Sequence, residues 1–325
     1  MKFGLFNLMS LRDNPRGAQG VISDTEAMVS LAEDIGFDIA WFAEHHFTNY
    51  SISPSPLMMA AHFAARTKKI RLGTGVVVLP LYQPMRVAQE IGLVDQLSGG
   101  RLVLGVGSGY QPYEFEQFGV DVSKKTEVFI EYWNVVRQAI ETGVVNFKGK
   151  YVPEISTVVG LRPLNPNILS ELYLTSMDPR IVSDMSGHGI IPFITAGWRG
   201  SPALPGIAQR VRDSWDAVMP ATRPMPLAIQ QYICVTENKA EARAAAEHAR
   251  FVGRAVDILR HRRPELTGAK LLEVPIPNEP GLDEIESNLI IGDAHLVAER
   301  LVKEIRQFSP VHYNCFFQFG DMPRH

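Results

Sequence analysis

A (β/α)8 TIM barrel, eight parallel strands alternating with helices, is the fold this sequence predicts. Eight short apolar runs rich in β-branched and aromatic residues alternate with segments of helical spacing along the chain. No internal repeat and no flexible linker separates them, so the chain reads as a single domain, 1–325. Barrels of this kind routinely reach that length as one unit. A doubly wound open sheet is the alternative that the same alternation allows.

The elements follow in order. KFGLFNL (Lys2 to Leu8) is the first strand, and Asp24 to Ile35 is a helix with Asp24 as its cap. FDIAWFAE (Phe37 to Glu44) is the second strand. SPLMMAAHFAART is a helix begun after Pro54 and Pro56, whose Ala60, Ala61, Ala64 and Ala65 permit close packing. IRLGTGVVVL, from Ile70, is the β-branched third strand. Pro84 to Leu97 is the third helix, closed by Gly99-Gly100. RLVLGVG (Arg101 to Gly107) is the fourth strand. The rhythm then loosens into a glycine and aromatic loop, a long helix from Ser123 to Glu141, and a turn-rich stretch from Gly143 to Pro166.

Alternation resumes with ELYLT (Glu171 to Thr175), a short helix from Pro179 to Met185, and IIPFIT (Ile190 to Thr195). A helix from Pro205 to Val218 leads to LAIQQYICV (Leu227 to Val235), strand seven, and an alanine-rich helix from Lys239 to Leu259. An irregular segment, Arg263 to Asn288, precedes the helix Ala294 to Phe308. VHYNCFFQF (Val311 to Phe319) is the eighth strand. The pattern places a closing helix next, where Asp321-Met322-Pro323-Arg324-His325 does not read as one.

Composition narrows the function. Apolar residues make up 46% of the chain, ample for a large core, and the formal net charge is −3. No basic cluster exceeds RTKKIR (Arg66 to Arg71) and RHRR (Arg260 to Arg263), so nucleic acid and polybasic membrane binding lack electrostatic support. The start MKFGLFNLMSLRD is too soon charged for a signal peptide, and no run of about eighteen apolar residues exists. Cys234 and Cys315 lie in strand-like runs and read as reduced core thiols. A soluble, cytoplasmic protein is expected.

Barrel sites form at the C-terminal ends of strands. That rule selects Glu44, His45 and His46, then Gly75 to Pro80, then Gly107-Ser108-Gly109-Tyr110-Gln111. It also selects Thr175-Ser176-Met177-Asp178 and Trp198. Imidazole titrates near neutral pH and suits proton transfer, whereas neighbours on a strand point to opposite faces and seldom share a metal. A satisfied structural pair is the alternative for His45 and His46. HExxH, CxxC and GxSxG are absent, so no metal site and no serine hydrolase is expected. GVGSGY lacks the third glycine of a dinucleotide fingerprint. Glycines at 73, 75, 105, 107 and 109 would let backbone approach a flat ring, and Ser176 with the amides opening TSMDP would hold an anion. An ordinary helix cap is the alternative there.

These residues carry a resemblance. GFDIAWFAEHHF, RLGTGVVVLPLYQPMRVAQEIGLVDQLSGGRLVLGVGSGYQPYEF and LYLTSMDP together resemble the bacterial luciferase family of flavin-dependent monooxygenases, densely over about the first 120 residues and collinearly beyond. The resemblance implies the same barrel with insertions after strand four and before strand eight. It implies reduced FMN, or in one branch a reduced deazaflavin, at the C-terminal mouth. His45 matches the active-site histidine, Gly75-Val76 the non-proline cis peptide against the flavin ring, and Ser176 the phosphate ligand. Tyr110 matches an aromatic lining residue, and Trp198 falls near a pocket loop. Phe6, Met9, Phe193 and Trp198 suggest an apolar substrate pocket. Arg86 and Glu90, four apart on a helix, read as a structural ion pair.

Two positions depart from that pattern. Ser108 stands where luciferase directs an arginine at the flavin phosphate, and Thr175 stands where it has a glutamate. Losing a guanidinium weakens phosphate capture. The expected activity is therefore a monooxygenase that takes reduced FMN from a separate flavin reductase and uses O2 on a small organic substrate. A deazaflavin-dependent dehydrogenase and a non-catalytic flavin carrier are the alternatives. The alanine face of the second helix, with the family's habit of pairing through helices two and three, implies a homodimer.

Overall fold

The computed structural model describes every residue except Arg324 and His325, so the last two positions of the expected closing helix lie outside the described residues. The elements are β1 (Lys2–Asn7), α1 (Gly17–Asp34), β2 (Ile39–Phe42), α2 (Pro56–Arg66), β3 (Arg71–Thr74), β4 (Val77–Val78) and α3 (Pro84–Leu97). There follow β5 (Leu102–Val103), β6 (Gly105–Gly107), α4 (Pro112–Gln117), α5 (Lys125–Glu141), β7 (Val144–Phe147), β8 (Ile155–Val158) and β9 (Leu172–Leu174). Next come α6 (Pro179–Asp184), β10 (Ile190–Thr195), α7 (Gly200–Asp216), β11 (Ala228–Val235), α8 (Lys239–His261), β12 (Leu266–Thr267) and β13 (Lys270–Leu271). The chain closes with α9 (Leu282–Asn288), β14 (Ile290–Gly292), α10 (Ala294–Phe308) and β15 (His312–Phe316).

The fold is α/β, built on a curled parallel sheet in the order β4-β6-β9-β10-β11-β15-β1-β2-β3-β5, with β14 added on β11. Both ends of that path lie on the same two chain segments. Leu72 pairs with Leu102 and Gly73 with Val103, while further along Val77 pairs with Val106 and Val78 with Gly107. The third and fourth expected strands are thus each split in two, and the sheet meets itself across the split.

Alternation along the strands sorts the core into two layers. On the outer face, Phe42 stacks on Phe63 of α2 with ring centroids 5.0 Å apart. On the inner face Trp41, Tyr173, Phe193 and His312 meet edge to face or tilted. Gly73 makes this possible, since a Cβ there would lie 2.3 Å from the Trp41 ring. At the N-terminal end of the sheet Glu171 binds Lys2 (2.6 Å), Arg71 (2.8 Å) and the Tyr173 hydroxyl (3.0 Å). Burial opposes its ionisation, but the two cations outweigh burial and bring its pKa to about 2. Burial likewise drives His312 down to about 3, so this core imidazole is neutral.

Several boundaries differ from the sequence expectation. Helix α1 begins at Gly17, not Asp24, because its polar, glycine-bearing first turns hide the apolar spacing. Asp24 is no cap: it accepts from Arg16 (2.7 Å) and Asn14 (3.3 Å). Helix α7 starts at Gly200 and carries Pro205 within it. The stretch 143–166 holds the β7–β8 hairpin, and 263–288 holds the β12–β13 hairpin and α9. Helix α3 has the expected bounds, opened by Pro84 and followed by Gly99 and Gly100 at φ 68 and 79. Among the described residues no helix is long and apolar enough to cross a membrane.

Candidate active site

The loop after β2 is fixed by two buried carboxylates. Glu44, 2% exposed, accepts from the Val78 amide (3.1 Å) and the Tyr82 hydroxyl (2.8 Å) and meets His46 Nε2 at 3.1 Å. Burial pushes its pKa up, against these three partners. Glu44 thereby ties the second strand's loop to the third, as a structural residue would. Glu114 of α4, 1% exposed, reaches the same loop from the other side. Its Oε1 accepts from the His46 backbone amide at 2.8 Å and lies 3.1 Å from His45 Nδ1.

That carboxylate sets the state of His45. A carboxylate oxygen accepts, so Nδ1 is the ring nitrogen that donates here, and among the described residues Nε2 has no hydrogen-bond partner. Gln111 Nε2 lies 3.0 Å from the same Nδ1 and 3.2 Å from the Tyr110 hydroxyl, while its Oε1 is buried without a partner. Turning the amide would place its oxygen towards both hydrogens and match the His45 tautomer. The His45 ring rests against Tyr50 (4.7 Å) and Tyr110 (5.9 Å). His46 points instead to Glu44 and the edge of Phe118 (4.8 Å). The two imidazoles separate as alternation requires, though both lie beyond the end of β2.

A second wall of the mouth is backbone. The Gly75–Val76 peptide bond is cis, as the resemblance implies. A Cβ on Gly105 would fall 2.1 Å from the Thr74 carbonyl oxygen, and one on Gly107 would fall 2.6 Å from Thr175 Oγ1 and 2.8 Å from Val76 Cγ2. Backbone thus bars a side chain at 105, and one at 107 would have to push Thr175 and Val76 aside. Phe6 Cε2 would lie 3.2 Å from a Cβ on Gly75, and Phe6 meets Phe193 edge to face at 6.3 Å. These two expected pocket residues come together beside Gly75. Met9 instead lines a small cavity with Asn7, Ser10, Asp24 and Asp321, and the Trp198 indole packs against Gly253 of α8.

The anion-binding expectation is narrowed. Ser108 is buried and Ser176 half-buried, while Thr175 is exposed. Helix α6 is only six residues long, and Asp178 serves its first turn by accepting from the Arg180 amide at 3.0 Å. The Arg180 amide thus has a carboxylate already, which weakens the helix start as an anion site. A cavity of about 480 Å³ lies at the opposite end of the sheet, lined by Glu141, Ser170, His188 and Arg223 among others, and contains none of the mouth residues.

The sequence model of the luciferase-like monooxygenase family matches residues 1–309. The chain belongs to that family. As a luciferase-like monooxygenase it is an oxidoreductase. It is 33% identical over 322 residues to uncharacterized protein y4vJ of Sinorhizobium fredii, covering 99% of this chain and 92% of that one. The oxygenase component of the flavin-dependent trigonelline monooxygenase of Acinetobacter baylyi is 33% identical over 117 residues, 36% of this chain and 32% of that one. Among solved structures, monooxygenase RslO1 from Streptomyces bottropensis matches with a TM-score of 0.79 at 21% identity, covering 99% of this chain and 94% of that one. An F420-dependent secondary alcohol dehydrogenase in complex with an F420-acetone adduct matches at 0.67 and 21%, covering 97% and 93%. At those identities the two structures speak for the fold alone.

Within this luciferase-like mouth, Gln111 stands in the stretch that the strand-end rule selected, whereas Glu114 and Tyr50 were not legible from the sequence. QPYEF shows a proline opening a helix, but no spacing connects residue 114 to residue 45. Arg86 and Glu90 form the expected ion pair at 2.8 Å on the exposed face of α3.

Proposed function

We propose that the chain is the oxygenase of a two-component flavin monooxygenase, taking reduced FMN from a separate flavin reductase and using O2 to oxygenate a small organic substrate. The observation that carries this reading is the closely packed backbone of Gly75-Val76, Gly105 and Gly107 in the same mouth as His45, whose Nδ1 faces Glu114. Glycine at 105 and 107 lets Thr74, Val76 and Thr175 pack closely on the fourth strand, which firms the backbone at the cis bond against which a planar aromatic cofactor would lie. Reduced flavin would supply the electrons that activate O2. Gly75 and Val76 would hold its ring, with Ser108, Tyr110, Thr175 and Ser176 along its polar tail. His45 would take or give a proton at Nε2, with Glu114 holding the tautomer. Phe6 and Phe193 would keep water from the substrate side. The insertions after strand four and before strand eight are read as the segments 108–171 and 236–311 of a single domain. Two buried free thiols, Cys234 and Cys315, favour a cytoplasmic setting.

Oxygen uptake with supplied reduced FMN tests this directly. Uptake that depends on protein and yields an oxygenated product is the expected result. A protein that binds no FMN by calorimetry, even at high concentration, overturns the reading. One alternative on the same fold is a deazaflavin enzyme in which His45 handles a proton during hydride transfer. Parallel titration separates the two, since only the preferred cofactor saturates at about micromolar levels. Binding without turnover by either cofactor would mark a carrier.

A homodimer belongs to the same proposal, with one revision of its contact. Ala60 and Ala64 are buried in the protein's own core and Ala61 is half-buried at its edge, whereas Ala65 is exposed, as is Met58. Leu93 and Leu97 of the neighbouring α3 are also exposed. Light scattering at micromolar concentration is expected to give a dimer, and Ala61→Glu is expected to give a folded monomer. A monomeric wild type ends the claim. Substituting Ala64 would overpack the barrel and say nothing about association.

A further inference from the structure

We infer that the barrel interior holds a bound water beside Gly4, gripped by Trp41, His312 and Asn314, which stands in for the side chain that the first strand lacks there. In the sheet β1 lies between β15 and β2, with Gly4 paired to Asn314 on one side and to Ile39 on the other. Glycine in the middle of a strand marks a close approach. Here the approach is polar. A Cβ on Gly4 would run into Asn314 Oδ1 and would lie 2.7 Å from His312 Nε2 and 2.9 Å from Trp41 Nε1. All three side chains are fully buried. Among the described residues none of these atoms, nor Asn314 Nδ2, has a hydrogen-bond partner. The two ring nitrogens lie within about 5.6 Å of each other, a gap that one oxygen bridges with two ordinary hydrogen bonds.

The hydrogens decide what the ligand is. Glu171 is ionised between Lys2 and Arg71, so the Tyr173 hydroxyl donates to it at 3.0 Å. With that proton engaged, the Tyr173 oxygen accepts from His312 Nδ1, also at 3.0 Å. Burial, aided by Lys2 and Arg71, keeps the His312 ring neutral against Glu171 and the Phe3 carbonyl, and Nε2 is left with a lone pair. Trp41 Nε1 can only donate. The ligand must therefore accept one hydrogen bond and donate another, while the Asn314 amide can serve either need as it turns. A metal cation is repelled by the indole N–H, and an anion by the imidazole lone pair. Water meets both demands: it takes the indole hydrogen and gives its own to His312 and Asn314, three bonds in all, the usual number for a buried water. The Trp41 ring also packs on Gly73, two residues before the Gly75–Val76 bond, so the water steadies an indole that supports the mouth from below. The site needs no cofactor and stands apart from the flavin reading.

The test reads the site by high-resolution crystallography and the Trp41 indole N–H by NMR, on the protein without cofactor. The crystal is expected to show an oxygen within hydrogen-bond distance of Trp41 Nε1, His312 Nε2 and Asn314. In solution the indole hydrogen is expected to give a cross-peak to a long-lived water, with the His312 proton on Nδ1. Gly4→Ala sets a methyl group against the three polar atoms and is expected to abolish that cross-peak. Should Gly4→Ala fail to fold, His312→Asn decides: its amide still donates to Tyr173 but reaches no further. Exchange of the Trp41 indole hydrogen is then expected to quicken about 5-fold or more, the scale of one hydrogen bond. His312→Gln, whose amide extends to the place of Nε2, is expected to recover most of that protection. A direct bond from Trp41 Nε1 to Asn314 Oδ1, with no oxygen beside them, overturns the inference. So does a His312 proton on Nε2, a cross-peak that survives in Gly4→Ala, or indole exchange in His312→Asn equal to wild type.

Discussion

His45→Ala is expected to lower product formation by about 100-fold or more while the barrel stays folded and FMN still binds, the range for a positioned acid–base group. Oxygen would still disappear, but would be recovered as hydrogen peroxide, because without a timed proton the two electrons of the reduced flavin would only reduce O2 to H2O2 and no oxygen atom would pass to the substrate. The neighbouring change has a different signature. His46→Ala keeps the backbone amide that Glu114 binds and loses the contacts to Glu44 and Phe118. Its expected cost is about 1 kcal/mol of stability with coupling preserved. Product and peroxide yields in the two variants decide the matter. Should His46→Ala uncouple the reaction and His45→Ala behave as wild type, the assignment of the pair is inverted.

Gly105→Ala is expected to destabilise the protein by about 3 kcal/mol, at the upper end for an overpacked site. The obstacle is main chain: the new Cβ would sit 2.1 Å from the Thr74 carbonyl oxygen, and no rotamer change can move it. Thr74 Oγ1 also bonds both the amide and the carbonyl of Gly105 at 2.8 Å, so a shift at 105 breaks two buried bonds. Gly160 is the control, with open space where its Cβ would go and no left-handed φ. The urea midpoint should fall for Gly105→Ala and hold for Gly160→Ala. Equal midpoints would mean that the wall of the mouth is soft, and the argument for a flat cofactor would lose its footing.

What the sequence revealed followed local physics. Proline and glycine punctuation set α3, and alternation of β-branched residues marked β10 and β11. Places where tertiary contacts decide were lost. The polar start of α1 is helical although its apolar spacing is faint; the hairpin at 144–158 lacks the usual two-residue turn, and that at 266–271, turned by Gly268-Ala269, has strands of only two residues each. Small residues at 60, 61, 64 and 65 announced close packing without saying which pair turned inward. His45 and Gly75 were marked by their place at strand ends, but the choice of His45 over His46 and the cis bond at Gly75-Val76 came only with the resemblance. Glu114, which fixes the His45 proton, was invisible, because one buried carboxylate in a helix looks like any other until its partner across 69 residues is known.

The clasp between the first loop and the last third of the chain bears on how the mouth is assembled in time. Asn49 accepts from the Leu271 amide (2.9 Å) and its own amide donates to the Ala269 carbonyl (2.9 Å), while Arg12 grips Glu273. These bonds span 222 and 261 residues. A ribosome adds roughly 5–20 residues each second, so residues 12 and 49 wait many seconds before their partners emerge. Until then the strand carrying His45 can form, but the covering of its loop cannot. The rim of the site is thus among the last parts of the molecule to be tied down, and a nascent chain has its chemistry before it has its shelter.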